Sequence, residues 1–179
     1  MKKVFYILCV CICCLLVGCV AEPKEPVLSG SMSTENVSGL FSEEKGEFYR
    51  LTWNADESSV EKTLGISLED CARQESSTTL DYCCSAIVLG YEGELTLSFQ
   101  DENGLVRVAF FIPEEKEDYD AVCKALKETF GEPNRTIENE DKEQGCAWAR
   151  SAGASMTLTE ANGGGTVVII RNEKYFSLT

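Results

Sequence analysis

The chain contains no histidine. That absence removes the commonest general base, the commonest zinc ligand and every Ser-His or Cys-His nucleophilic system. Glycoside hydrolysis by two carboxylates and Ser-Lys chemistry survive on residue types alone, and neither has a local motif here. Basic residues are scarce too, 16 against 30 acidic ones. Without Lys2 and Lys3, at the head of the chain, 14 face 30, a net charge of −16. Such a surface repels nucleic acid and anionic headgroups, and solubility alone is reason enough for it. No Asp-x-Asp/Asn-x-Asp/Asn-Gly loop is present, so calcium binding by the acidic loops lacks its usual sequence frame.

One long uncharged run exists, Val4 to Val20, preceded by Lys2 and Lys3 and containing Leu16-Val17-Gly18-Cys19. A short positive end, an apolar stretch and small residues before a cysteine make a secretory signal. The four residues resemble the lipobox of bacterial lipoproteins. That resemblance implies cleavage before Cys19, a diacylglyceryl group on its thiol, and residues 1–18 as a signal peptide absent from the mature protein. The alternative is an uncleaved anchor, for which this run sits at the lower limit of a bilayer span. Acyl chains contribute about 0.8 kcal/mol per buried methylene, so two or more hold a domain on a membrane where one does so marginally. The expected location is therefore extracytoplasmic, lipid-anchored to the cell membrane.

Ten cysteines look like a disulfide framework until sorted by position. Cys9, Cys11, Cys13 and Cys14 lie in the apolar run, where cysteine behaves as a small hydrophobe, and Cys19 is the lipidation site. Cys71, Cys83, Cys84, Cys123 and Cys146 remain, an odd number that leaves at least one thiol free or intermolecular. Adjacent Cys83 and Cys84 on a strand point to opposite faces and cannot serve the same core. Proximity in sequence favours Cys71 with Cys83 or Cys84, and Cys123 with Cys146. These five contain no C-x-x-C pair, which argues against a metal site.

Residues 19–45 are rich in Ser, Glu, Pro and Gly without sustained periodicity, and read as a lipidated flexible tether. Residues 46–179 are enough for one domain with a single core. Asp56 to Gly65 reads as a short helix, with an N-cap at one end and a glycine at the other. From Thr78 to Ile112 the pattern is strand-like, with Asp101-Glu102-Asn103-Gly104 as a turn. Tyr119, Val122, Cys123, Leu126 and Phe130 share one helical face, and Gly131 and Pro133 stop that helix. This turns Cys123 inward. A charged loop, Ile137 to Gly145, precedes strand-like pieces at Cys146–Ala149, Ser155–Glu160 and Thr166–Arg171.

The two halves repeat one another. Val60 to Gly65 matches Leu126 to Gly131, and Leu95-Thr96-Leu97-Ser98 matches Met156-Thr157-Leu158-Thr159. The expected fold is α+β, a tandem repeat of helix plus antiparallel meander over about 48–112 and 113–172. Two helices would cover one face of a curved sheet of about six strands, the other face being partly open to solvent. Trp53, the 60–65 segment, an L-x-L-x-F hairpin with its Asn-Gly turn, the 119–131 helix, Trp148 and a final apolar strand resemble the β-lactamase inhibitor protein-like lipoproteins. That group includes the small SmpA/OmlA-type lipoproteins of outer-membrane assembly. The resemblance implies a tandem helix-plus-sheet fold and protein binding through the open face; none of the family's inhibitory loop residues maps here.

Two functions follow as expectations. The first is a non-catalytic binding module for an envelope or extracellular protein, without a cofactor. Along 105–112, Arg107, Ala109 and Phe111 alternate away from Val106, Val108, Phe110 and Ile112, which makes Phe111 and Arg107 the candidate binding contacts. Trp53 and Trp148 serve the core more readily than a partner. The second is a cell-wall hydrolase with paired carboxylates drawn from residues such as Glu92, Glu94, Asp101 and Glu160, recognisable by a cleft with two of them about 5 to 9 Å apart.

Overall fold

The structure is a computed structural model and describes residues 27–28, 37, 48–113, 116–138, 144–149, 153–161 and 164–175. The expected signal segment and Cys19 lie outside the described residues, among which no helix is long and apolar enough to cross a membrane.

Helix α1, Glu57–Leu64, forms where its ends are satisfied: Asp56 accepts a hydrogen bond from the Ser59 amide at 2.8 Å, and Gly65, at φ 70°, returns its N–H to Glu61. This N-cap and left-handed C-cap pair satisfies groups the helix leaves open. Val60 and Leu64, one turn apart, are its buried residues. Helix α2, Lys116–Phe130, begins a turn before the expected Tyr119, because polar Lys116 to Asp118 add nothing to an apolar period. Tyr119, Val122, Cys123 and Leu126 are buried, and Gly131 follows at φ 79°.

Among the described residues nine strands make one sheet, rather than six. They are β1 Val27–Leu28, β2 Ala72–Glu75, β3 Leu80–Val88, β4 Tyr91–Gln100, β5 Gly104–Ile112, β6 Arg135–Glu138, β7 Gln144–Ala149, β8 Ala154–Glu160 and β9 Thr166–Asn172. The order is β1-β3-β4-β5-β9-β8-β7-β6, with β2 also on β3. The unanticipated strands β1, β2 and β6 have two to four residues each, too short for alternation to register. Strand β6 takes part of the expected 137–145 loop; residues 139–143 lie outside the described residues. The expectation of a free tether over 19–45 also needs correction at three residues. Val27–Leu28 pair in parallel with Ile87–Val88, and Val37 is buried in the core.

Strands β3-β4-β5 and β7-β8-β9 are two antiparallel meanders that meet along β5 and β9. The β3–β4 hairpin turns at Leu89-Gly90, both at positive φ, as a type I′ turn requires. The β4–β5 turn is held against the loop before α1, where Asn54 donates to Leu105 and Leu105 to Ala55. A Cβ on Gly104 (φ 60°) would fall 2.5 Å from the Ala55 oxygen, so only glycine fits that approach.

Register lines up two apolar rows across all six meander strands on the inner face. One runs Tyr82, Leu97, Val108, Ile170, Met156, Trp148; the other Cys84, Leu95, Phe110, Val168, Leu158, Cys146. Helices α1 and α2 lie on this side. Glu57 of α1 accepts from the Tyr82 hydroxyl, and the Trp148 indole donates to Gly131 O just beyond α2 at 2.9 Å. Leu95, Leu97, Val108 and Leu158 are wholly buried here, and burial of each such side chain stabilises by about 1.5–3 kcal/mol. A small apolar cavity of about 40 Å³ remains between α2 and the sheet.

Candidate functional site

Because side chains alternate along strands, the residues between the inner rows form three rows on the outer face. The first is polar: Asp81, Ser98, Arg107, Arg171, Ser155 and Ala149. The second is Cys83, Thr96, Ala109, Ile169, Thr157 and Ala147, and the third Ser85, Glu94, Phe111, Val167, Thr159 and Gly145. No helix of the described residues packs on them. Ala109, Phe111, Val167 and Ile169 form a half-buried apolar strip on the two central strands.

The polar row is an ordered network. Arg107 donates through Nε to Ser98 Oγ and through Nη2 to Asp81 Oδ2, both at 2.9 Å. Arg171 stands directly opposite Arg107 and donates from Nε to Glu173 Oε1 at 2.9 Å. The Ser155 hydroxyl donates to the same Glu173 oxygen. Like charges placed opposite each other on a sheet repel, and here each guanidinium is offset by its own carboxylate. Desolvation pulls the Glu173 carboxyl upward, but hydrogen bonds from Ser155 and Arg171, with the charges of Arg171 and Arg135, outweigh it and hold the group below its ordinary range.

Phe111 and Arg107 thus lie on the outer face, as the alternation of 105–112 implied, but they do not converge. Two register rows separate them, about 13 Å of strand. Phe111 belongs to the apolar strip, where a Cβ on Gly165 would fall 2.7 Å from its ring. Arg107 belongs to the ion row. Its partners Asp81 and Ser98, and the facing pair Arg171 and Glu173, escape sequence reasoning. Alternation about Ile170 turns Arg171 outward, but only the β5–β9 register brings it to Arg107.

The candidate carboxylates do not assemble. Glu92 and Glu94 are exposed on β4, Asp101 lies in the β4–β5 turn, and Glu160 ends β8 opposite Thr166. An open depression of about 520 Å³ beside the α1 N-terminus brings Asp101 and Glu102 near Asp56 and Glu57. Asp56 there caps the helix, and its bonds to Ser59 lower its pKa, opposite to what a general acid needs. Glu57 holds Tyr82. Among the described residues no group of three or more Cys, Asp or Glu is placed to hold a metal ion.

The cysteines separate by face. Cys84, inward, is disulfide-bonded to Cys71 with Cα atoms 4.9 Å apart, which decides between the two sequence alternatives. Cys83 points outward as a half-buried thiol 3.7 Å from Thr96 Oγ1. Cys123 and Cys146 are buried thiols in contact, Sγ to Sγ 3.9 Å.

No protein-family model and no curated protein matches the sequence. Among solved structures the chain is similar to the crystal structure of a DUF4309 family protein, YjgB, from Bacillus subtilis. The match has a TM-score of 0.53 and 14% identity, over 79% of this chain and 98% of that one. At that identity the likeness is one of fold, an α+β arrangement of helices on a mostly antiparallel sheet.

Proposed function

We propose that this chain is an extracytoplasmic lipoprotein, anchored through Cys19, whose domain is a non-catalytic module that binds an envelope or extracellular protein on the outer face of its sheet. The observation that supports it is the half-buried apolar strip Ala109, Phe111, Val167 and Ile169, on which no helix of the described residues packs, bordered by an ordered row of ion pairs. An apolar centre with a polar rim is the usual anatomy of a protein interface. The same reading takes the domain as a tandem duplication over about 48–112 and 113–172. In its favour, each half supplies a helix, a short edge strand and a three-stranded meander, and the meanders join along β5–β9. This is the architecture that the resemblance to the β-lactamase inhibitor protein-like group implies.

The test uses the full chain in its own membrane. A photocrosslinker at Ala109 is expected to capture a discrete protein that one at exposed Lys124 on α2 does not. Equal capture from both positions, capture from neither, or release of wall sugars by the purified protein overturns the binding reading. Separately, Cys19→Ala is expected to leave an unprocessed precursor or a released protein; normal processing with full membrane retention overturns the anchor.

A further inference from the structure

Cys84 and Cys146 occupy the two ends of one inner row, Cys84, Leu95, Phe110, Val168, Leu158, Cys146. At the first end Cys84 is bonded to Cys71, in the loop after α1. At the second end Cys146 meets Cys123 of α2, with sulfurs 3.9 Å apart and the Tyr119 hydroxyl also 3.9 Å from Cys146 Sγ. The only other thiol among the described residues, Cys83, faces the opposite side of the sheet. Each end of the row therefore has a cysteine on the sheet and a second one on the segment that covers it.

We propose that Cys123 and Cys146 form a second disulfide, fastening α2 to β7 as Cys71–Cys84 fastens the post-α1 loop to β3, and that Cys83 is left as the single thiol of the domain. The oxidant is a low-molecular-weight disulfide. One thiol loses its proton and its sulfur attacks that disulfide, forming a mixed disulfide and expelling one thiolate. The second thiol, deprotonated in turn, attacks the mixed bond, closes Cys123–Cys146 and expels the other thiolate. Two protons and two electrons leave the protein, and one small disulfide becomes two small thiols.

The two sulfurs are already in contact at 3.9 Å, and a bond brings them to about 2.05 Å. Burial, with Cys146 close by, pushes the Cys123 thiol up to about 11, so little thiolate exists in the folded reduced protein at neutral pH. Closure accordingly belongs to folding, before α2 seals the pair. This inference is independent of the binding reading and of the anchor.

The full chain, reduced and unfolded, is refolded in a buffer of reduced and oxidised glutathione. It is then denatured without reductant, alkylated and mapped by peptide mass. The expected result is Cys71 linked to Cys84, Cys123 linked to Cys146, and alkyl only on Cys83 among these five. Alkyl on both Cys123 and Cys146 while Cys71–Cys84 is linked overturns the proposal, as does either cysteine linked elsewhere. Cys123→Ser with Cys146→Ser is expected to lower the Tm by on the order of 10 °C. An unchanged Tm in that folded variant also overturns it.

Discussion

The two faces of the sheet are built from the same strands and obey opposite rules. On the inner face two rows cross six strands with side chains buried, apart from half-buried Val168, and closed over by α1 and α2. On the outer face most side chains stay partly exposed, although Ser98 is buried, and charged groups are paired side by side instead of being kept apart. The inner rows gain from removing apolar surface from water. The outer rows leave apolar surface in water and hold arginines in a fixed geometry, which adds little stability for the order it requires. The contrast indicates that the inner face holds the molecule together.

The largest expected effect comes from breaking the inner face. Trp148 is 1% exposed and reaches Gly131 O through its indole. Trp148→Ala should cost about 3–5 kcal/mol in denaturant unfolding, through the cavity and the lost bond. A loss below about 1 kcal/mol would show that the two faces do not differ as described.

An intermediate effect is expected in the outer ion row. Arg107→Ala leaves Asp81, whose side chain is 17% exposed, and the fully buried Ser98 hydroxyl without their donor. The cost should be about 1–3 kcal/mol. Replacing Asp81 by Ala together with Arg107 should recover part of it, because a buried carboxylate without its cation is what hurts. If the double variant is as unstable as the sum of the two singles, the row is not a coupled unit.

The smallest effect is a pH dependence at Glu173. Its pKa is lowered in the folded state, so its contribution is present above the ordinary carboxylate range and is lost as pH falls through the lowered value. With 39% of the side chain exposed, the contribution should stay below about 1 kcal/mol. Glu173→Gln should flatten the acid limb of stability against pH below about 4.3, leaving neutral stability nearly unchanged. A variant with the same acid limb as the parent would remove Glu173 from the network.

Much of the fold was legible in local pattern. The caps of α1, the apolar face of α2, the alternation of 105–112 and the opposite facing of Cys83 and Cys84 each depend on residues a few positions apart. The candidate site was legible by half. Alternation placed Arg107 and Phe111 on the outer face but could not name Asp81, 26 positions from Arg107, or Arg171 across the β5–β9 junction. A pairing register between distant strands is set by how the whole core closes, and no short window records it.

Sequence by itself determined the absence of histidine chemistry, the uncharged run that contains Leu16-Val17-Gly18-Cys19, and how the residues of the long strands alternate between faces. These depend on composition and on periods of two or 3.6 residues. Tertiary structure alone decided that Cys71 takes Cys84, that Val27–Leu28 and Val37 join a domain expected to begin at 46, and that Cys123 meets Cys146. Each is a contact between different elements that no helical or strand period records, made only when burying the two inner rows has offset the entropy of bringing them together.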